Sequence, residues 1–279
     1  MTTGSLEFVV GGQTYKVEPG DTLHFPGIIR TRGATLAKPK PEGPDGSAHT
    51  VAAAAVAKAF LPRGNGMTEQ RKPRVGIYVF NGAEVVDWAA PFGVMAVARR
   101  LDPEIDVFLI SDSGGPVVGT GNMVVTPRYG LDHRPSMTAF VIPGGIGTRT
   151  EIHNRRLLEF VRTLESGTRP YSVCTGSWVY GVAGLLDGLP ATSRKEADPS
   201  EPVTPLDRLK TYAPEVEPSR ARIVDAGSVV TAGGISSGME LGFYLLELHG
   251  YDDAFVFDVA RIMEYQRQWE LMRDDRLVR

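Results

Sequence analysis

The run Arg169-Pro170-Tyr171-Ser172-Val173-Cys174-Thr175-Gly176-Ser177-Trp178-Val179-Tyr180-Gly181 constrains this chain more than any other stretch. A short apolar segment leads into Cys174, and Trp178, Val182, Leu185 and Leu186 then follow at helical spacing. The pattern reads as a strand, a sharp turn and a helix that starts at once. Such an elbow lifts a side chain off the sheet edge and sets it at a helix start. The partial positive charge there lowers a thiol pKa, and the thiolate is the reactive form. Cys174 is the only cysteine in the chain. Free cysteine is also among the most buried residue types, so the elbow alone leaves a reactive and a structural role open.

The chain has 279 residues, 42% of them hydrophobic, enough for one large α/β domain with or without an appendage. Its formal charge of -3 and the absence of any long Lys/Arg run argue against nucleic acid as a partner. No stretch approaches the roughly 20 apolar residues that span a bilayer, and the N-terminus lacks a basic-then-apolar leader pattern. The expectation is a soluble, cytoplasmic protein with no membrane partner.

Residues 1–34 read as short antiparallel strands around a Gly11-Gly12 turn, followed by Glu18-Pro19-Gly20-Asp21 and a third strand over 22–26. The rhythm Gly-Gly-x-x-Tyr-x-Val-x-Pro-Gly-Asp-x-x-x-Phe-Pro resembles the second half of a cupin barrel. The metal-binding histidines of that family are absent, and His24 alone cannot make a metal site. Residues 35–72 form a Pro- and Gly-rich linker with an Ala-rich helix over about 48–61. From residue 73 to 279 strands and helices alternate. Strands are expected over 75–80, 105–111, 139–142 and 229–231 and in the short apolar run leading into Cys174, and a hairpin over 119–128. Helices are expected over 87–101, about 151–165, 236–248 and about 252–272 and in the segment opened by Thr175-Gly176-Ser177, with a short one in the Pro-rich passage 197–218. Alternation of this kind implies right-handed crossovers and a mostly parallel sheet with helices on both faces, a flavodoxin-like or class I amidotransferase-like α/β fold.

In such sheets the ligand crevice lies beyond the carboxyl ends of the strands. Four segments fall there: Asn81-Gly82-Ala83-Glu84-Val85-Val86-Asp87, Pro143-Gly144-Gly145-Ile146-Gly147, the Cys174 elbow, and Thr231-Ala232-Gly233-Gly234-Ile235-Ser236-Ser237-Gly238. A nucleophile, a carboxylate and backbone donors converging on one crevice make up a covalent-catalysis site. Asp87 could alternatively be a helix N-cap, and Glu84 on the same loop is a rival carboxylate.

Taken together, these motifs resemble the ThiJ/PfpI superfamily over about 74–265. Ser172-Val173-Cys174-Thr175-Gly176-Ser177 followed by Ala183-Gly184-Leu185-Leu186 is most similar to its isonitrile hydratase branch. The resemblance implies addition of water to an isonitrile carbon to give an N-substituted formamide, without metal or organic cofactor, by a homodimer. It assigns the working residues to Cys174, Thr175 and Asp87. Thr175 would orient Asp87 or the water through its hydroxyl. Gly144, Gly145, Ile146, Gly233 and Ile235 would form the pocket, with the N–H groups of Gly145 and Thr175 facing developing negative charge. A carboxyl facing a thiol in a partly dry crevice is expected to have a raised pKa.

Family members of the hydrolase and glyoxalase type place a histidine shortly after the elbow helix. Here Ala191-Thr192-Ser193-Arg194-Lys195 carries Arg194 instead, and no histidine lies between His153 and His249. A Cys-His relay is therefore not expected. Arg194 reads either as a surface ion-pair residue or as a pocket wall. Two further functions stay open. The fold also serves as the sensor half of AraC-type regulators, though this chain has one final helix where a DNA-binding pair would stand. A thiol-based peroxide sensor needs only an accessible thiolate.

Overall fold

A computed structural model describes residues 6–10, 13–17, 71–199, 201–273 and 275–278. The chain divides into two units, Met1–Gly66 and Met67–Arg279. In the first, β1 (Leu6–Val10) and β2 (Gln13–Val17) pair antiparallel, with Leu6 opposite Val17 and Val10 opposite Gln13. The third strand expected over 22–26, the linker and the Ala-rich helix lie outside the described residues.

The second unit is built on an eight-stranded sheet in the order β14 (Arg276–Val278), β12 (Ile223–Asp225), β13 (Val230–Ala232), β9 (Arg169–Val173), β8 (Ala139–Ile142), β3 (Arg74–Tyr78), β4 (Asp106–Ser111) and β7 (Tyr129–Gly130), while β10 (Pro190–Ala191) and β11 (Glu217–Pro218) pair with each other. Its centre comprises β3 (Arg74–Tyr78), β4 (Asp106–Ser111), β8 (Ala139–Ile142), β9 (Arg169–Val173) and β13 (Val230–Ala232), all parallel to their neighbours here. Val75, Ile77, Ala139, Phe140, Val141, Ile142 and Val173 are wholly buried. Near-continuous apolar runs are what a parallel strand covered on both faces requires. β7 (Tyr129–Gly130) extends one edge. β12 (Ile223–Asp225) and β14 (Arg276–Val278) extend the other, with β12 antiparallel to β13.

One helical layer consists of α1 (Val85–Leu101), α6 (Ser237–Leu248) and α7 (Asp253–Ile262). α1 and α6 meet closely because Gly242 lies against Val94, where an added methyl group would come within 2.7 Å of the Val94 Cβ. The other layer holds α2 (Thr148–Glu151), α3 (Arg155–Arg162), α4 (Gly176–Val182) and α5 (Pro205–Tyr212). Phe160 of α3 packs edge-on against Phe140 of β8, with ring centres 5.0 Å apart.

The structure departs from expectation at two helices and one sheet edge. The helix expected over 151–165 breaks into α2 and α3, because Asn154 takes an extended conformation and its side chain accepts from Leu157 N at 3.2 Å, restarting the helix as an N-cap. The helix expected over 252–272 breaks at Glu264, whose φ of 55° ends α7 before α8 (Gln266–Met272) begins. The three-residue strands β12 and β14 were not expected. The hairpin over 119–128 is present as β5 (Val117–Val118) and β6 (Val124–Val125) around a 3-10 turn.

The strand order reverses between β3 and β8: the chain leaves β3 outward to β4 and returns to β8 on the opposite side. That switch point opens a crevice at the carboxyl ends of the strands.

Candidate active site

Cys174 follows β9 directly with φ of 57°, a left-handed conformation that a side chain bearing Cβ adopts only under constraint. The constraint is visible. Its N–H donates to Gly233 O at 2.8 Å, and its carbonyl accepts from Ser177 Oγ at 3.1 Å and Ser193 Oγ at 2.9 Å. Gly144 passes beneath the elbow. A methyl group there would stand 2.6 Å from Thr175 N and 2.8 Å from Cys174 Cβ, so only glycine lets the two loops meet.

Asp87 is the third residue of α1 and is completely buried. It is not the N-cap, a position held by Glu84. Gly144 N donates to Asp87 Oδ2 at 2.9 Å, and the second oxygen, Oδ1, has no hydrogen-bond partner among the described residues. The Cys174 side chain lies close enough to the carboxyl to favour its charged form slightly. Burial, against the opposing Gly144 N–H, pushes Asp87 up to about 8, so it carries its proton at pH 7.

The thiol behaves differently from the expectation for a helix start. Burial first, and the adjacent Asp87 charge second, push Cys174 well above the ordinary thiol range. The N–H groups of Thr175 and Ile235, which point at the sulfur, and the positive charge of Arg194 oppose this without reversing it. At a 4% exposed site, desolvation of a thiolate outweighs the local dipole. The resting pair is a neutral thiol against a neutral carboxyl.

Thr175 makes no hydrogen bond to Asp87. Its hydroxyl accepts from Gly145 N at 3.1 Å and shares a hydrogen bond with Thr148 Oγ1 at 2.9 Å. Gly145 N–H is therefore engaged by Thr175, and the donors aimed at the sulfur are Thr175 N and Ile235 N instead. Gly145 itself has φ of 118° and is bridged to Ala83, and any side chain would run into Gly82 O.

A cleft of about 180 Å³ opens over Cys174. Gly145, Ile146, Thr175 and Ile235 line it, whereas Gly144, Gly233 and Asp87 do not. Arg194 lines it too, as a pocket wall. Glu84 reaches the cleft and accepts from Thr120 Oγ1 at 3.1 Å. Sequence reasoning missed the opposite wall. There Arg149 holds Glu201 through Nη2 at 2.5 Å and Nε at 3.2 Å, donates to Gly145 O at 3.1 Å, and lies over the Trp178 ring at 4.8 Å. No local motif signals this pair, because its partners are 52 residues apart. Among the described residues no group of three His, Cys, Asp or Glu side chains could hold a metal ion. Among the same residues no helix is long and apolar enough to cross a membrane.

Residues 73–248 match the DJ-1/PfpI family. The chain belongs to that family. It is 30% identical over 183 residues to the isonitrile hydratase of Pseudomonas putida, covering 65% of this chain and 74% of the hydratase. It is 32% identical over 124 residues to the HTH-type transcriptional regulator GbdR of Pseudomonas aeruginosa, 43% of this chain but only 34% of the regulator. Among solved structures, a ThiJ/PfpI family protein from Pseudomonas syringae superposes with a TM-score of 0.59 at 20% identity, over 78% of this chain and 96% of that one. Schizosaccharomyces pombe DJ-1 gives 0.56 at 17% identity, over 68% and 98%. These two likenesses establish the DJ-1/PfpI fold.

Proposed function

We propose that this chain hydrates isonitriles to N-substituted formamides, with Cys174 as nucleophile and Asp87 as the proton carrier. The observation that carries the reading is a buried, neutral Asp87 carboxyl placed beside a neutral Cys174 thiol that lines a small cleft. An isonitrile carbon must gain both a proton and a nucleophile, and this pair supplies both without net charge.

In the first step Asp87 gives its proton to the terminal carbon and takes the S–H proton, while sulfur bonds to the same carbon. The product is a thioimidate, Cys174–S–CH=N–R. Water then adds to that carbon as Asp87 protonates the nitrogen and accepts a proton from the water. Collapse breaks the C–S bond, the hydroxyl proton returns through Asp87 to sulfur, and the formamide leaves. Nothing is oxidised or reduced. Thr175 N–H and Ile235 N–H stabilise the charge that develops on sulfur as its proton departs. Thr175 acts as a positioning residue, its hydroxyl holding the Gly145 loop against the elbow. The likeness to the Pseudomonas putida hydratase supports the same reaction class.

The second reading is a ligand-sensing module, favoured by the likeness to GbdR. The net charge of -3 supports a small molecule over nucleic acid as the direct partner. We further propose a cytoplasmic homodimer, with residues 1–34 and 35–72 as a β appendage and linker to the 73–279 domain. Formamide production from cyclohexyl isonitrile, followed by NMR beside Cys174→Ala, separates the readings. Turnover lost in the variant supports the hydratase, and no turnover by the folded unaltered chain refutes it.

A further inference from the structure

We infer that Arg194 is an anion-binding residue, so that the cleft takes a small isonitrile bearing one carboxylate; the substrate class rests on the hydratase reading. Two arginines line the cleft, and their occupancy differs. Arg149 is saturated by Glu201 and Gly145 O. Arg194 is not. Among the described residues its Nε is buried without a hydrogen-bond partner, and the nearest carboxylate to it, Asp198, stands 4.0 Å away with a side chain 48% exposed. A pair that long and that open is weak and readily exchanged for a better acceptor.

Arg194 is also directed toward the chemistry. Its stem lies on Gly234, where an added methyl group would stand 2.6 Å from Arg194 Cγ, so the glycine leaves the path that carries the guanidinium into the cleft. Its positive charge is felt at both Asp87 and Cys174. The next residue, Lys195, holds its Nζ over Gly233 and adds to the positive potential at this corner. Glu84, Asp198 and Glu201 put negative charge on the other walls, and Glu201 is neutralised by Arg149 and Arg208. A ligand with a single anionic group is thus oriented, its carboxylate on Arg194 and its reactive carbon left for Cys174. A guanidinium matches a planar carboxylate in a fork that an ammonium does not reproduce.

The test compares hydration of isocyanoacetate with that of its neutral amide, 2-isocyanoacetamide, by the unaltered chain, Arg194→Lys and Arg194→Gln. The expected kcat/KM on the carboxylate exceeds that on the amide by about ten-fold or more, as one charge-assisted contact gives. Arg194→Gln brings the ratio near one, chiefly through KM, and Arg194→Lys keeps part of it. Equal rates on both compounds in the unaltered chain, or an equal loss on both in Arg194→Gln, overturn the inference. A second readout needs no turnover: calorimetric binding of N-formylglycine and N-formylglycinamide to Cys174→Ala. Preference for the carboxylate that disappears when Arg194→Gln is added supports the subsite even if no isonitrile is hydrated, in which case only the hydratase reading falls. Absence of N-formylglycine binding, or binding unchanged by Arg194→Gln, overturns the subsite itself.

Discussion

Replacing Asp87 by Asn should change how stability depends on pH. An unperturbed Asp titrates near 3.8, and burial raises this one to about 8 in the folded chain. Between those values the folded state holds a proton that the unfolded state has released. Stability conferred by that proton is fully present below about 4 and is lost as pH rises toward 8. The linkage slope for one proton is about 1.4 kcal/mol per pH unit, negative here because the folded state binds more protons. From pH 5 to pH 7 the unaltered chain should therefore lose about 2.7 kcal/mol relative to Asp87→Asn. Any fixed cost of the amide, including its effect on the Gly144 bond, cancels in the slope. Other titrating groups, such as Glu151, whose pKa burial raises, are common to both proteins and cancel as well. Urea unfolding of both proteins at half-unit steps from pH 5 to 8 measures the difference. A difference that stays flat over that range refutes the assignment of a protonated, buried Asp87.

Three further outcomes follow from the same geometry. Thr175→Val leaves the Gly145 N–H without its acceptor, and should cost roughly 1–3 kcal/mol of stability by denaturant unfolding and lower kcat. Gly242→Ala forces a methyl group against Val94, and should cost roughly 1–3 kcal/mol by the same assay while activity per folded molecule stays unchanged. Alkylation of Cys174 by iodoacetamide should be slow at pH 7 and still rising at pH 9, because burial and Asp87 hold the thiol protonated; a plateau below pH 8 would contradict this.

The layered parallel sheet was legible because its strands are nearly unbroken apolar runs and because glycine-rich turns mark their carboxyl ends. What escaped was decided by single residues or by distant ones. Asn154 and Glu264 each end a helix by their own backbone conformation, and neither interrupts the apolar periodicity around it. β12 and β14 are too short for a pattern and exist through pairing across the fold. Within the site, the elbow geometry of Cys174 could be read locally. The sign of its pKa shift could not, since burial and Asp87 arrive from elsewhere and outweigh the helix start. The same holds for the Thr175 hydroxyl, whose partners Thr148 and Gly145 belong to another loop.

The central claim is that a protonated Asp87 beside a neutral Cys174 performs the chemistry. The most direct measurement is kcat/KM for cyclohexyl isonitrile from pH 5 to 10. The rate should be level and then fall as pH passes about 8, where Asp87 loses its proton, and should be lower by about 10²-fold or more in Asp87→Asn. A rate that climbs steadily through pH 8–10, as a free thiolate would give, would contradict it.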